Sequence, residues 1–393
     1  MTKHSGISLL TMIAACSVGA TAAIVFNIFP IFMGEIAKQF AFNEVQMGYI
    51  GSAYLGGFAI PALFATYWIP RLRWKASITA SLVVIAICLA CLDLTSNGKI
   101  AYVIIALLGV ANSINYSITL VIVSRHANPD RAFGFKLATE MSLATLVMYL
   151  MTDIIISDYG FAGFVYGMIV VYLLCCVPFL LLLPNYTPLA DEADIQAAGQ
   201  SVVSQVFSRA AIPVWLASTA LFIQFGTLAA LWGFSESIAA AAGIDDAVIG
   251  TRLTYAVFCG IIGAGAVAWL GNRLGTVQPL IAGFMVIIGM VTWVSQDTSL
   301  VVITIFMCIT SAMIQYTAAY LMGYIADLDI REKFTPMIPF ILACSGAVGP
   351  GVAGAMIEES GSFQSVYQLA ISITVVSALL ILVCARLERV GPK

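Results

Sequence analysis

The sequence predicts an all-α membrane protein: twelve transmembrane helices in two pseudo-symmetric six-helix bundles. Three observations carry that expectation: twelve long apolar stretches, a one-sided distribution of Lys and Arg, and a repeat between the chain's two halves. Of 393 residues, 61% are hydrophobic and 9% are charged. That is more apolar surface than a water-soluble domain could hide, so the solvent must largely be lipid.

In chain order the first six stretches are residues 8–33, 45–69, 76–95, 100–123, 133–157 and 161–183. The second six are 211–236, 247–270, 277–295, 299–323, 334–357 and 365–385. Each is about 20 residues or slightly longer, enough to cross a ~30 Å hydrocarbon core at ~1.5 Å per residue. Predicted helix 1 is too long for a signal-peptide core and lacks a small-residue cleavage site, so it is read as retained. With the N-terminus cytoplasmic, 14 of the 17 Lys and Arg fall inside and only Lys38, Lys99 and Arg252 outside. One missed helix would scramble that split. The outer loops are short, and several are acidic, as at Asp158, Asp297 and the Glu358–Glu359 pair.

Whole function classes drop out. All nine Cys fall inside predicted helices without metal-type spacing, so they read as packing residues and no metal or other cofactor is implied. No basic run suits nucleic acid, and no P-loop or Gly-rich phosphate cradle supplies an ATP motor.

The repeat is visible in the basic turns. Pro70-Arg71-Leu72-Arg73-Trp74-Lys75 follows helix 2 and Asn272-Arg273-Leu274-Gly275 follows helix 8, their arginines 273 − 71 = 202 residues apart. Asp130-Arg131 follows helix 4 and Ile330-Arg331 follows helix 10, an offset of 331 − 131 = 200. The expected organisation is therefore one bundle over residues 1–183, a linker over 184–209 and a second bundle over 210–393. The linker opens with Pro184 and Pro188, carries Asp191, Glu192 and Asp194, and reads as flexible and cytoplasmic.

Six plus six helices, a central cytoplasmic loop and these basic turns resemble the major facilitator superfamily over the whole chain. Asn272-Arg273-Leu274-Gly275 is similar to the family's Asp-Arg-x-Gly turn with Asn in place of Asp. The first-half copy has Pro70 at the acidic position and Arg73 at the Gly, leaving Arg71 and Lys75 as matches. The resemblance implies a cytoplasmic gate in which Arg71, Arg131, Arg273 and Arg331 take part. Gly346, Gly349, Pro350 and Gly354 form a small-residue packing and bending element in helix 11. Helix 5 lacks the Gly-Pro element typical of the drug-antiporter branch, which tilts the reading toward uptake.

Polar groups inside lipid-spanning helices are functional hypotheses by default. Asn112, Asn115, Tyr116 and Thr119 follow i, i+3, i+4, i+7 on helix 4 and share a face suited to a water-filled cavity. The alternative is hydrogen-bonded glue between helices. Glu140 lies seven residues into helix 5, roughly 10 Å deep. A carboxylate there can bind a proton or a cationic group. Its structural alternative is an ion pair with Lys136, whose stem would snorkel to the interface. Asn27, three residues before the helix-bending Pro30, joins the candidates, as do Gln224 and Trp232 on helix 7 and Gln315 and Tyr316 on helix 10.

No Arg falls in the middle third of a predicted helix, so an anionic substrate would lack its usual clamp. The leading expectation is a secondary active transporter, working by alternating access, for a small neutral, zwitterionic or cationic organic solute, aromatic ones included. Uptake coupled to protons is favoured, with sodium as the lesser coupling ion. Proton-driven efflux of hydrophobic or cationic compounds is the alternative, and an intramembrane lipid-modifying enzyme the remote one, since no nucleophile–base pairing is found. The expected setting is a monomer in a bacterial inner membrane with both termini cytoplasmic.

Overall fold

The computed structural model describes residues 7–183, 211–329 and 333–390, and every regular element among them is helical. The predicted linker 184–209 and Arg331 lie outside the described residues. The first helix, α1, runs in three segments, Leu9–Ala22, Ile24–Asn27 and Phe29–Gln39. Pro30 stands in the first turn of the third, where its missing N–H interrupts the ladder. The expected bend thus falls at Asn27 and Ile28.

Helix α2 (Glu44–Leu63, then Ala65–Trp68) opens on a capping box. Gln46 N donates to Asn43 Oδ1 at 2.9 Å and Asn43 N donates to Gln46 Oε1 at 3.0 Å. It bends by 47° near Phe64, one turn beyond Pro61. The Pro61 carbonyl there accepts the Trp68 indole N–H at 2.8 Å. Helices α3 (Trp74–Leu94), α4 (Gly98–Ser124) and α5 (Pro129–Leu150) follow. A π-helical turn, Met151–Ile155, carries α5 into the run Ile156–Leu180, α6. Gly160 breaks that run with φ 58° and ψ −147°, a conformation only glycine takes readily, so the run is kinked there into two helical pieces.

The second half holds α7 (Ile212–Gly233, then Ser235–Ala241), α8 (Asp246–Leu270), α9 (Val277–Val294) and α10 (Leu300–Leu328). The 3-10 turn Thr335–Met337 leads into α11 (Ile338–Ser360), and α12 (Gln364–Val390) closes the chain. Among the described residues nine helices are long and apolar enough to span a bilayer, ten if the bent α2 pair counts as one. The other two of the twelve are α1, divided at its break, and α5, which carries Lys136 and Glu140. Exposed Tyr255, Phe258, Ile262 and Trp269 make a helical stripe along α8, the surface a lipid-facing helix needs.

Among the described residues two compact units emerge, 7–127, 139–183 and 335–343 in one and 128–138, 211–329, 333–334 and 344–390 in the other. Within the first, Gly57 of α2 meets the backbone of Ala106 on α4 so closely that a Cβ would collide with its carbonyl. Within the second, Gly263 of α8 meets Ala312 of α10 in the same way. The offsets are 263 − 57 = 206 and 312 − 106 = 206, so one small-residue contact recurs in both halves. Each unit also takes in a short strap from the other half of the sequence, 335–343 in the first and 128–138 in the second. These straps are repeat-related too, offset by 335 − 128 = 207 and 343 − 138 = 205. In the first unit the turn Thr335–Met337 packs on α2 and α4. In the second, Gly134 lies flush on Val267 and Ala268 of α8.

Candidate functional site

All four groups on the polar face of α4 are buried, and their partners sort them. Asn112 Nδ2 donates to the Tyr54 hydroxyl at 3.3 Å, and the Tyr172 hydroxyl donates to Asn112 Oδ1 at 2.9 Å. Asn112 therefore ties α4 to α2 and α6. Thr119 turns back on its own helix, donating to the carbonyls of Asn115 and Tyr116 at 3.0 and 2.9 Å. Asn115 is different: both Nδ2 and Oδ1 are sealed from solvent without a hydrogen-bond partner. Burying amide groups unsatisfied costs about 1–3 kcal/mol each, so this amide is poised for a ligand or water. The Asn27 Nδ2, at the break in α1, is likewise buried and unpartnered.

Aromatic rings flank this face. Tyr116 packs on Phe58 at 5.8 Å between centroids, Phe58 on Tyr54 at 6.2 Å, and Tyr54 on Phe29 and Phe32 at 5.8 and 6.1 Å. Tyr54, Phe58 and Tyr172 were not among the sequence candidates. Aromatic residues are common along the chain, and only the contacts single these out.

Glu140 is 3% exposed, inside the first unit. Lys136, one turn earlier, departs from expectation: it is fully buried and does not snorkel to an interface. The strap that carries it is packed into the second unit with Gly134 flush on α8, which removes the route to the surface.

In the second unit Gln224 faces α12, its Nε2 donating to Thr374 Oγ1 at 3.4 Å while Oε1 is buried without a partner. Ser218 on α7 and Ser377 on α12 add two more buried, unpartnered hydroxyls to this pair of packed helices. Tyr316 points elsewhere: its hydroxyl donates to the Pro279 carbonyl on α9 at 3.1 Å, and its ring lies against Gly283. Gln315 and Trp232 are half-buried. The second-half candidates are thus spread over two helix contacts, unlike the α4 set. A cavity of about 160 Å³ lies between α7, α11 and α12, lined by Phe222, Thr227, Ser345, Val348 and Ile373 among others. Gly349 meets the Gly226 backbone beside it, the close approach that the small residues of α11 permit. Thr227 spends its hydroxyl on the Ile223 carbonyl, so this cavity suits an apolar group.

Of the expected gate arginines, Arg71 donates to the Tyr67 carbonyl at the end of α2, and Arg273 lies over the Trp269 ring at 5.5 Å. Both are exposed, as is Arg131. Gly275 ends the Asn272–Gly275 turn at φ 73°, the conformation for which glycine is required there. The strap docks on this turn: Asn128 Nδ2 donates to Asn272 Oδ1 at 2.6 Å, and Thr276 Oγ1 donates to Asp130 Oδ2 at 2.5 Å. Burial and the nearby Asp327 raise the Asp130 carboxyl to about 7 against the opposing Thr276 bond.

Residues 11–329 match the family described as Major Facilitator Superfamily. No curated protein sequence matches the chain. Among solved structures, a transporter of that family, FucP, in the outward conformation is similar at TM-score 0.78 and 16% identity, over 96% of this chain and 99% of that one. The fucose:proton symporter FucP of E. coli, carrying N162A, is similar at TM-score 0.73 and 16% identity, over 96% and 98%. The human organic anion transporter MFSD10 (TETRAN) is similar at TM-score 0.76 and 13% identity, over 95% and 99%.

Proposed function

The chain belongs to the major facilitator superfamily, and we propose that it is a secondary transporter that couples uptake of a small organic solute to proton entry. The observation that carries the reading is Glu140, a carboxyl buried on α5. A carboxyl so placed can bind and release a proton as its surroundings alternate. The similarity to a fucose:proton symporter supports proton coupling at the level of the fold.

On this reading Asn115 is the first solute ligand, with Asn27, Tyr116 and Gln224 adding hydrogen-bonding capacity in their own units, and Gln315, Tyr316 and Trp232 as further candidates. Asn112, engaged by two tyrosines, holds the face in place. Amide and aromatic groups suit a neutral, zwitterionic or cationic solute. The two six-helix halves, 1–183 and 210–393, are the alternating bodies, joined by the 184–209 linker. The basic turns, with Arg71, Arg131, Arg273 and Arg331, lie on the cytoplasmic side of an inner membrane, with both termini on that side and one chain as the working unit. Alternating access in this family needs no catalytic set, and we assign no enzymatic activity.

The test is proton movement in proteoliposomes holding a pH-sensitive dye, challenged in turn with sugars, amino acids and organic cations. Solute-dependent acidification of the lumen supports symport. Solute-dependent alkalinisation supports the efflux alternative, which a carboxyl with aromatic surroundings also suits. Saturable flux with no proton movement, abolished by removing sodium, overturns proton coupling.

A further inference from the structure

We propose that the Asp130 carboxyl is a second proton-binding site, whose occupancy controls docking of the 128–138 strap onto the α8–α9 turn. The strap is built for docking. Asn128 caps α5 by accepting from Arg131 N at 3.0 Å, and its Nδ2 holds Asn272 Oδ1 at 2.6 Å. Pro129 follows as the first helical residue, where its missing N–H costs nothing. Asp130 then enters fully buried between the turn and α10. Gly323 of α10 makes room for it: any side chain there would overlap the Asp130 carboxyl. Beside them the Tyr320 hydroxyl donates to the Gly271 carbonyl at 3.0 Å, fixing the end of α8 where the turn begins.

What the carboxyl receives is meagre for a charged group. Oδ2 has the Thr276 hydroxyl at 2.5 Å, while Oδ1 is sealed and has no hydrogen-bond partner. From α10 it is faced by Asp327 and Tyr320, neither of which supplies positive charge. On the turn, Arg273 is exposed over Trp269, and on α5 Arg131 is exposed while Lys136 lies six residues further along. A buried carboxylate with one donor and an acidic neighbour is relieved by taking up a proton.

The sign of the pH effect follows. Docked, the group titrates near 7; undocked in water, an aspartate titrates near ~4. The docked state therefore binds the proton more tightly, so docking is strongest in acid and weakens as pH rises through 7. Between pH 6 and pH 8 the docking equilibrium should fall roughly tenfold. Asp130 precedes the apolar part of α5, so it reports the aqueous pH at that end, whereas Glu140 lies within the span. Only the consequence for transport rests on the transporter reading; docking itself can be read without a solute.

Hydrogen exchange of the full chain in nanodiscs, corrected for the intrinsic pH dependence of exchange, tests the proposal on peptides covering 128–138. In the wild type, protection should fall about tenfold from pH 6 to pH 8, with the 335–343 strap flat. D130N should hold its pH 6 protection throughout. T276V, which removes the bond favouring the charged form, should move the midpoint upward and serves as the test if D130N does not fold. Flat wild-type protection, an equal fall in both straps, an unchanged fall in D130N or an unmoved T276V midpoint would each overturn the proposal.

Discussion

The Asn112 tie gives the sharpest test of how the α4 face is organised. Replacing Asn112 by Leu keeps the volume and removes both side-chain partners, leaving the Tyr54 and Tyr172 hydroxyls buried and unpaired. Each stranded group costs about 1–3 kcal/mol, so N112L should lose roughly 2–6 kcal/mol. The two bonds are unequal. Y172F breaks the 2.9 Å bond and strands Asn112 Oδ1, for about 1–3 kcal/mol. Y54F breaks the longer 3.3 Å bond and strands Asn112 Nδ2, for a loss at the lower end of about 1–3 kcal/mol. Thermal unfolding in detergent should therefore rank the losses N112L above Y172F above Y54F, at roughly 2–4 °C per kcal/mol for a body of about 200 residues. An unchanged midpoint for N112L, or a larger loss for Y54F than for Y172F, would refute the tie.

Asn115 should behave in the opposite way: N115L removes two unpaired groups and should leave the unfolding midpoint unchanged or higher while abolishing solute binding, so a large loss of stability with transport intact would place its partners elsewhere. In a cysteine-free background, N115C should react with a small water-soluble thiol reagent and be protected by solute; complete inertness would mean a dry packing position. G57A and G263A should each cost about 1–3 kcal/mol by forcing α2 from α4 and α8 from α10, and by the 206-residue repeat the two losses should be similar. A loss in one alone would break that equivalence.

The helices were legible because lipid demands long apolar runs, and because Lys and Arg avoid one side. Pro30 marked the bend in α1 for a stereochemical reason that needs no tertiary context. The Asn112–Asn115–Tyr116–Thr119 spacing located a buried polar face, since helical periodicity alone places those groups together. Which of them has a partner was not legible: Tyr54 and Tyr172 approach Asn112 from 58 and 60 residues away. Lys136 was misjudged because snorkelling considers one helix against lipid, and the strap carrying it is packed on α8 instead. Tyr316 lay deep enough on its helix to read as a ligand candidate, yet the absence of a side chain at Gly283 lets its ring pack against α9.

Proton coupling through Glu140 is the central claim, and solute accumulation under an imposed pH gradient tests it most directly. Wild-type proteoliposomes should concentrate the identified solute up to about tenfold per pH unit for one proton per solute. E140Q, which mimics the protonated carboxyl permanently, should abolish that accumulation while retaining solute counterflow without a gradient. Full gradient-driven accumulation by E140Q would contradict the account and leave Glu140 a structural partner within α5.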